Sequence, residues 1–203
     1  MEPREAGVVI LAAGRSERMK EMKALLPYND NTRFVEKIIS TYSNWGCSEI
    51  IVVTNPEVLI KMKQMGMVPS TVTVVVNDHI GFERFYSVKL GLGAILSSSF
   101  CFIQNVDNPF VHSQILDLLY ECRNNKKYIT PVFKNRGGHP VLVNHENIRR
   151  ICNWSVNSAN FKVVLSTMEC LEVEMPDERV LININSPEEY KRFFTVLQNG
   201  INL

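Results

Sequence analysis

The chain is predicted to form a three-layer α/β sandwich around a mixed, mainly parallel sheet. Three observations lead there. Short apolar runs alternate with amphipathic stretches through the first half. The first run, "GVVILAA" (7–13), is rich in Val and Ile with no polar alternation. Later, "YITPVF" and "HPVLVN" flank the turn-like "KNRGG" (134–138). Strand–helix alternation calls for right-handed crossovers between parallel strands, and an unbroken apolar run suits a strand buried on both faces. A turn between two strand-like runs adds a hairpin over 127–143, hence some antiparallel pairing. The expected winding is Rossmann-like and the expected sheet is mixed.

The remaining elements follow in order. Phe34, Val35, Ile38, Ile39 and Tyr42 fall at helical spacing over 32–44, with Thr32 as the expected cap. "EIIVVT" (49–54) and "TVTVVV" (71–76) are the second and third strands. A helix over 84–96 carries Phe85, Val88, Leu92 and Ile95 on one side. "FCFIQNV" (100–106) is the fourth strand and ends at Asp107. A helix over 112–123 follows, striped by Ile115, Leu118, Leu119 and Cys122. Helices are expected at 145–152 and 158–168, and strands near 170–175 and 180–184. The last helix opens at "SPEE", where Ser186 caps, Pro187 suits the first turn and Glu189 completes a capping box. No repeat, low-complexity tract or linker divides residues 1–203, so a single domain is expected.

Bulk properties narrow the function. A net charge of +1 gives no general attraction to nucleic acid or membrane, so an anion site must be local. "MEPREAG" lacks the pattern of a signal peptide, and no apolar stretch approaches membrane-spanning length. The five cysteines are scattered, without a CxxC pair. They read as reduced thiols in a cytoplasmic protein and argue against a structural zinc site.

Ligands of such sheets sit beyond the carboxyl ends of the strands, where two segments meet: the loop from Ala13 to Lys23, and Asp107. Arg15, Arg18, Lys20 and Lys23 outnumber Glu17 and Glu21 in that loop. Charge runs are usually solvated faces, so the small residues before them decide. Ala12, Ala13 and Gly14 let a ligand approach the backbone, and Gly14 has dihedral freedom closed to other residues. Free N–H groups beside Arg and Lys are how proteins hold phosphate chains. Neither GxxxxGK[ST] nor GxGxxG is present, and "GLG" (91–93) falls inside a helical pattern. Asp107 reads either as a magnesium ligand at a strand end or as a turn aspartate capping "NPF".

"LAAGRSERM" (11–19) followed by "KALLP" (23–27) resembles the signature of nucleotidyltransferases with the nucleotide-diphosphosugar transferase fold. The similarity is greatest to the molybdenum cofactor cytidylyltransferase and guanylyltransferase group of the NTP transferase domain family. "YSVKLGL" (86–92), "VDNPFV" (106–111), "RGGHPVLV" (136–143) and "NINSPEEY" (183–190) extend the resemblance over nearly the full length. It implies transfer of a nucleoside monophosphate from an NTP to a phosphorylated acceptor such as molybdopterin, with release of pyrophosphate and dependence on Mg²⁺. "LAAG" in place of "LAGG" favours CMP. A molybdoenzyme or cofactor-pathway protein is the implied partner.

By the same resemblance, Leu11, Ala12, Ala13, Gly14 and Arg15 face the base and triphosphate, and Arg18 and Lys23 grip phosphates. Asp107 holds the metal, Ser87 and Gly91 approach the nucleotide, and Gly138 and His139 face the acceptor. This chain departs from the pattern at Lys20, where a glycine is usual, and at "ERFYS" (83–87), where "GMFSS" is expected. Asn183 and Asn185 stand where some relatives carry an aspartate, and "VDNPF" replaces "GDMPF". Three alternatives stand beside this reading. One is a nucleotide-binding regulatory or chaperone-like module without turnover. Another is a related transferase using GTP or a non-pterin acceptor, and the last is a dehydrogenase lacking its fingerprint loop.

Overall fold

The computed structural model describes residues 4–124 and 127–198. The chain runs through β1 (Arg4–Ala12), β2 (Pro27–Asn29), β3 (Thr32–Arg33), α1 (Phe34–Trp45), β4 (Cys47–Thr54), α2 (Pro56–Gln64) and β5 (Thr73–Val76). It continues through α3 (Glu83–Gly93), β6 (Phe100–Asn105), α4 (Ser113–Glu121), β7 (Tyr128–Phe133), β8 (Arg136–Gly137) and β9 (Val141–Asn144). The last elements are α5 (His145–Cys152), α6 (Phe161–Leu165), β10 (Cys170–Glu174) and α7 (Pro187–Gln198).

The main sheet has the order β10-β7-β9-β6-β1-β4-β5, with β8 paired to β7, and β2 and β3 form a separate hairpin. β1 pairs in parallel with β4 and β6, and β4 with β5. β9 runs against both β6 and β7, and β10 lies parallel to β7. The sheet is therefore mixed and mostly parallel. Its hairpin turns at Lys134 and Asn135, both left-handed (φ 49° and 61°), the pairing that a two-residue turn between twisted strands requires.

Burial on both faces of β1 explains its unbroken apolar run. Ala6, Val8, Ile10 and Ala12 join one core with Phe34, Ile38 and Tyr42 of α1 and Leu116 and Leu119 of α4. Val9, Leu11 and Ala13 join the other with Phe85, Val88 and Leu92 of α3, Ile151 of α5 and Val164 of α6. Helices thus cover each face, giving three layers. Each fully buried aliphatic or aromatic side chain contributes about 1.5–3 kcal/mol.

α7 docks on the first face through its rings. Phe194 packs on Tyr190 (4.9 Å), Phe34 (5.0 Å), Phe110 (5.6 Å) and Tyr28 (5.7 Å), and the Tyr190 hydroxyl donates to the Pro27 carbonyl at 2.9 Å. Its expected capping box is present. Glu189 Oε2 accepts from Ser186 N (3.1 Å), and Ser186 Oγ accepts from Glu189 N (3.3 Å).

Several expectations need correction. Thr32 belongs to β3. The α1 entry is instead closed by Glu36, which accepts from Arg33 N at 2.8 Å. The strand expected at 180–184 is a 3-10 turn, Glu178–Leu181, started by Asp177 accepting from Arg179 N. The helix expected over 158–168 is confined to α6, and α2 and the β2–β3 hairpin were not anticipated.

Candidate active site

The carboxyl ends of β1, β5 and β6 open on one cavity of about 300 Å³, which Val58 of α2, beyond β4, also lines. Side chains following each strand fix its walls. Asn55, after β4, accepts from Val58 N to cap α2 (2.9 Å) and donates through Nδ2 to the Ala13 carbonyl (3.1 Å), pinning the end of β1. Asn77, after β5, donates to Ser87 Oγ on α3 at 2.9 Å and is buried.

Beyond β1 the chain turns at Ser16 and Lys20, both left-handed (φ 54° and 58°). The Ser16 carbonyl accepts from Met19 N and Lys20 N, and its hydroxyl accepts from Lys23 N at 3.3 Å. Lys20 thus occupies a conformation that glycine adopts freely and that costs other residues about 1–2 kcal/mol. The departure from the glycine pattern is tolerated because this loop is exposed and internally bonded.

Residues Leu11–Ser16 form one wall of the cavity, with Lys23 and Ala24 beside them. Arg84 and Ser87 of α3 face them, and Asn105, Val106 and Asp107 close the end. Lys23 Nζ donates to Asp107 Oδ2 at 3.0 Å and to Asn185 Oδ1 at 2.6 Å. Arg18 lines an adjoining depression together with Arg15, Lys23 and Asn185. The structure thus gathers Leu11, Ala12, Ala13, Gly14, Arg15, Lys23, Ser87 and Asp107 around one space, with Arg18 next to it.

Gly91 and Gly138 stand outside that space, and each has a steric reason to be glycine. A methyl at Gly91 would run into Val9 Cγ1 and lie 2.8 Å from Val53 Cγ2, because α3 rests directly on the sheet there. A methyl at Gly138 would strike the Val180 carbonyl oxygen. His139 does not line the cavity either. Its N–H donates to the Val180 carbonyl (2.9 Å), and its Nδ1 is buried with no partner.

Enclosure pushes the His139 imidazole down to about 3 from its ordinary 6.5, and the nearby Arg84 cation adds to the effect. His139 is therefore neutral near pH 7. Between those two values the unfolded chain binds a proton that the folded one refuses, so stability falls as pH drops through that range. His139→Gln is expected to flatten the dependence, with a smaller loss of melting temperature between about pH 7 and about pH 4 than the parent shows.

Asn77 and Asn108 were not among the expected site residues, and Arg84 entered only as part of the "ERFYS" departure. Asn108 is buried. Its Nδ2 donates to the carbonyls of Arg179 (3.1 Å) and Ile182 (2.6 Å), while Ile184 N donates to the Asp107 carbonyl (2.7 Å). These bonds hold the 179–184 segment against the end of β6, which is what the asparagine of "VDNPF" accomplishes. Arg84 reaches over the cavity near Phe161 (5.6 Å). Surrounding protein lowers its pKa, and the Asp107 charge partly restores it.

A divalent cation fits the donors present. Asp107 Oδ1 and Asn183 Oδ1 are buried without hydrogen-bond partners, and Mg²⁺ commonly takes one or two protein carboxylates with phosphate oxygens and water. Among the described residues no group of three or more His, Cys, Asp or Glu side chains is placed to bind a metal unaided.

Residues 8–168 match the MobA-like NTP transferase domain. The chain belongs to this family. It is an NTP-dependent nucleotidyltransferase with the α/β architecture of that group. The chain is 25% identical over 182 residues to the molybdenum cofactor cytidylyltransferase of Escherichia coli, spanning 90% of this chain and 92% of that protein. It is 29% identical over 211 residues to a molybdenum cofactor guanylyltransferase of Campylobacter jejuni, spanning 98% and 100%. Among solved structures, a Mycobacterium sp. strain JC1 homolog of Mycobacterium tuberculosis Rv0371c superposes with a TM-score of 0.82 at 17% identity, covering 97% of this chain and 98% of that one. Rv0371c itself was solved in complex with manganese and superposes at 0.75 with 18% identity, covering 95% and 99%. Among the described residues of this MobA-like chain, no helix is long and apolar enough to cross a membrane.

Proposed function

We propose that this MobA-like protein transfers a nucleoside monophosphate, CMP by preference, from a magnesium-bound NTP to a phosphorylated acceptor of the molybdopterin class. One observation carries the reading. Lys23 and Asp107, 84 residues apart in sequence, meet at 3.0 Å on the cavity framed by Leu11–Arg15. Both relatives named above act on the molybdenum cofactor, and "LAAG" is the feature that favours cytidine.

In the proposed reaction an acceptor phosphate oxygen attacks the α-phosphorus. The bond from that phosphorus to the bridging oxygen of the β-phosphate breaks, and pyrophosphate leaves with the electron pair. Such transfers depend on positioning and charge neutralisation more than on covalent catalysis. The Leu11–Gly14 backbone and Ser87 seat the nucleoside end. Lys23, Arg18 and Arg15 neutralise the phosphate chain. Asp107, with Asn183 and Asn185 beside it, would hold Mg²⁺, which supplies further neutralisation of the phosphate oxygens when bound. Gly138 and His139 lie outside the cavity that takes the nucleotide and are left to the acceptor side, where the neutral imidazole would offer a hydrogen-bonding group without charge. The reading treats residues 1–203 as one domain. It puts the enzyme in the cytoplasm, serving a molybdoenzyme or cofactor-pathway partner, with no nucleic-acid or membrane ligand.

The test is pyrophosphate release from CTP, GTP, ATP and UTP with Mg²⁺ and molybdopterin. Release is expected with CTP above the other three. Release with GTP alone overturns the nucleotide assignment. Nucleotide binding by calorimetry without release from any of the four overturns transfer to this acceptor and favours a binding module.

A further inference from the structure

The oxygens around the Lys23 ammonium are the same ones that a divalent cation would use. Nζ sits 3.0 Å from Asp107 Oδ2 and 2.6 Å from Asn185 Oδ1. The other Asp107 oxygen, Oδ1, is buried and unpartnered. Of these three side chains only Asp107 is negative, because position 185 carries an amide, and the Lys23 charge offsets it. The pair is well shielded, with 16% of the Lys23 side chain and 21% of the Asp107 side chain exposed, so solvent screens it weakly.

A dication arriving alone meets a neutral cluster already occupied by a cation, and like charge opposes its entry. A dication arriving on a triphosphate brings a net negative ligand. It offers the ammonium phosphate oxygens in exchange for Asp107, whose carboxylate is then released.

We propose that Lys23 is a latch on the metal carboxylate: held by Asp107 and Asn185 in the free protein, it restricts divalent-cation uptake to the nucleotide complex. The inference deepens the transfer reading and rests on its assignment of the cavity to a metal-bound NTP. Asn185 acts as a positioning residue, since an amide there holds the ammonium without adding the charge that would recruit a free cation.

The test is a titration of the full chain with Mn²⁺ alone, following free Mn²⁺ by electron paramagnetic resonance. It is run on the parent, on Lys23→Met and on Asn185→Asp, then repeated with CTP and with GTP. Without nucleotide, Lys23→Met is expected to bind Mn²⁺ at least about tenfold more tightly than the parent, although it removes a phosphate-binding group. Asn185→Asp, which adds a second carboxylate, is expected to tighten Mn²⁺ binding as well. For the parent, either CTP or GTP is expected to bring Mn²⁺ onto the protein at concentrations where Mn²⁺ alone stays free. Equal Mn²⁺ affinity for the parent and Lys23→Met overturns the latch. Should Lys23→Met fail to fold by circular dichroism, Lys23→Gln, which also removes the ammonium, decides by the same comparison. The nucleotide-free arm needs no turnover, so tightening without any pyrophosphate release would overturn the transfer reaction alone. Pyrophosphate release without tightening would overturn the latch alone.

Discussion

Asp107→Ala is expected to lower pyrophosphate release by at least about a hundredfold, the scale of losing a key electrostatic stabiliser, while the protein still folds. The loss follows from position. Asp107 lies in the turn just beyond β6 at the cavity, contacts Lys23, and has a buried oxygen with no protein partner. Survival of the fold follows from what the substitution leaves. The Asp107 carbonyl keeps its bond from Ile184 N, and Lys23 keeps Asn185 as an acceptor. Losing the charge-assisted hydrogen bond of this shielded pair costs about 2 kcal/mol, equivalent to a fall of about 4–8 °C in melting temperature for a chain of this size. Pyrophosphate assays beside thermal unfolding separate the two effects. A variant with the parent's rate would remove Asp107 from the chemistry.

Gly138→Ala is expected to produce the largest loss of stability, about 3 kcal/mol, toward the upper end for overpacking. That corresponds to a melting temperature lower by about 6–12 °C. The new methyl would collide with the Val180 carbonyl oxygen and lie 2.8 Å from its carbon and 3.0 Å from Val180 Cβ. These atoms cannot retreat easily, because Val180 is fully buried and its carbonyl already accepts from His139 N. The neighbouring Gly137 supplies the control. A methyl there would find Thr130 Oγ1 at 3.8 Å, an ordinary contact, so Gly137→Ala is expected to stay within about 0.5 kcal/mol. Urea or thermal denaturation of the two variants decides, and equal stability would show that the 180 segment yields.

The parts legible in the sequence are those where one physical requirement dominates. The apolar run of β1 announces burial on both faces, and the "SPEE" start of α7 announces its capping box. α2 escaped because only Val58 and Met62 of its nine residues are buried, a stripe too thin to stand out. Its start was nonetheless written in "TNPEV", with an asparagine cap and a first-turn proline. The 180–184 segment misled because Val180 and Ile184 are both buried, which mimics strand burial, while Asp177 turns the chain into a 3-10 turn. At the site, Asp107 and Lys23 could be placed together from topology and motif. Gly91 and Gly138 could not be sorted, since a glycine that admits a ligand and one that admits a helix or a carbonyl look alike in one dimension. Asn108 and Asn77 left no signal, because their roles are set by carbonyls and hydroxyls distant in sequence.

The aromatic seat of α7 has a bearing on where this protein can be shortened. The stretch that matches the family domain stops at residue 168, yet the amide that holds Lys23 lies at 185, one residue before the Ser186 cap of the helix anchored by Tyr190 and Phe194. Trimming to the matched stretch would keep the Ala13–Lys23 loop and Asp107 but remove the amide that shares the Lys23 ammonium with Asp107. α7, beyond the stretch matched by the family domain, thus anchors the segment that sets Asn185 against Lys23.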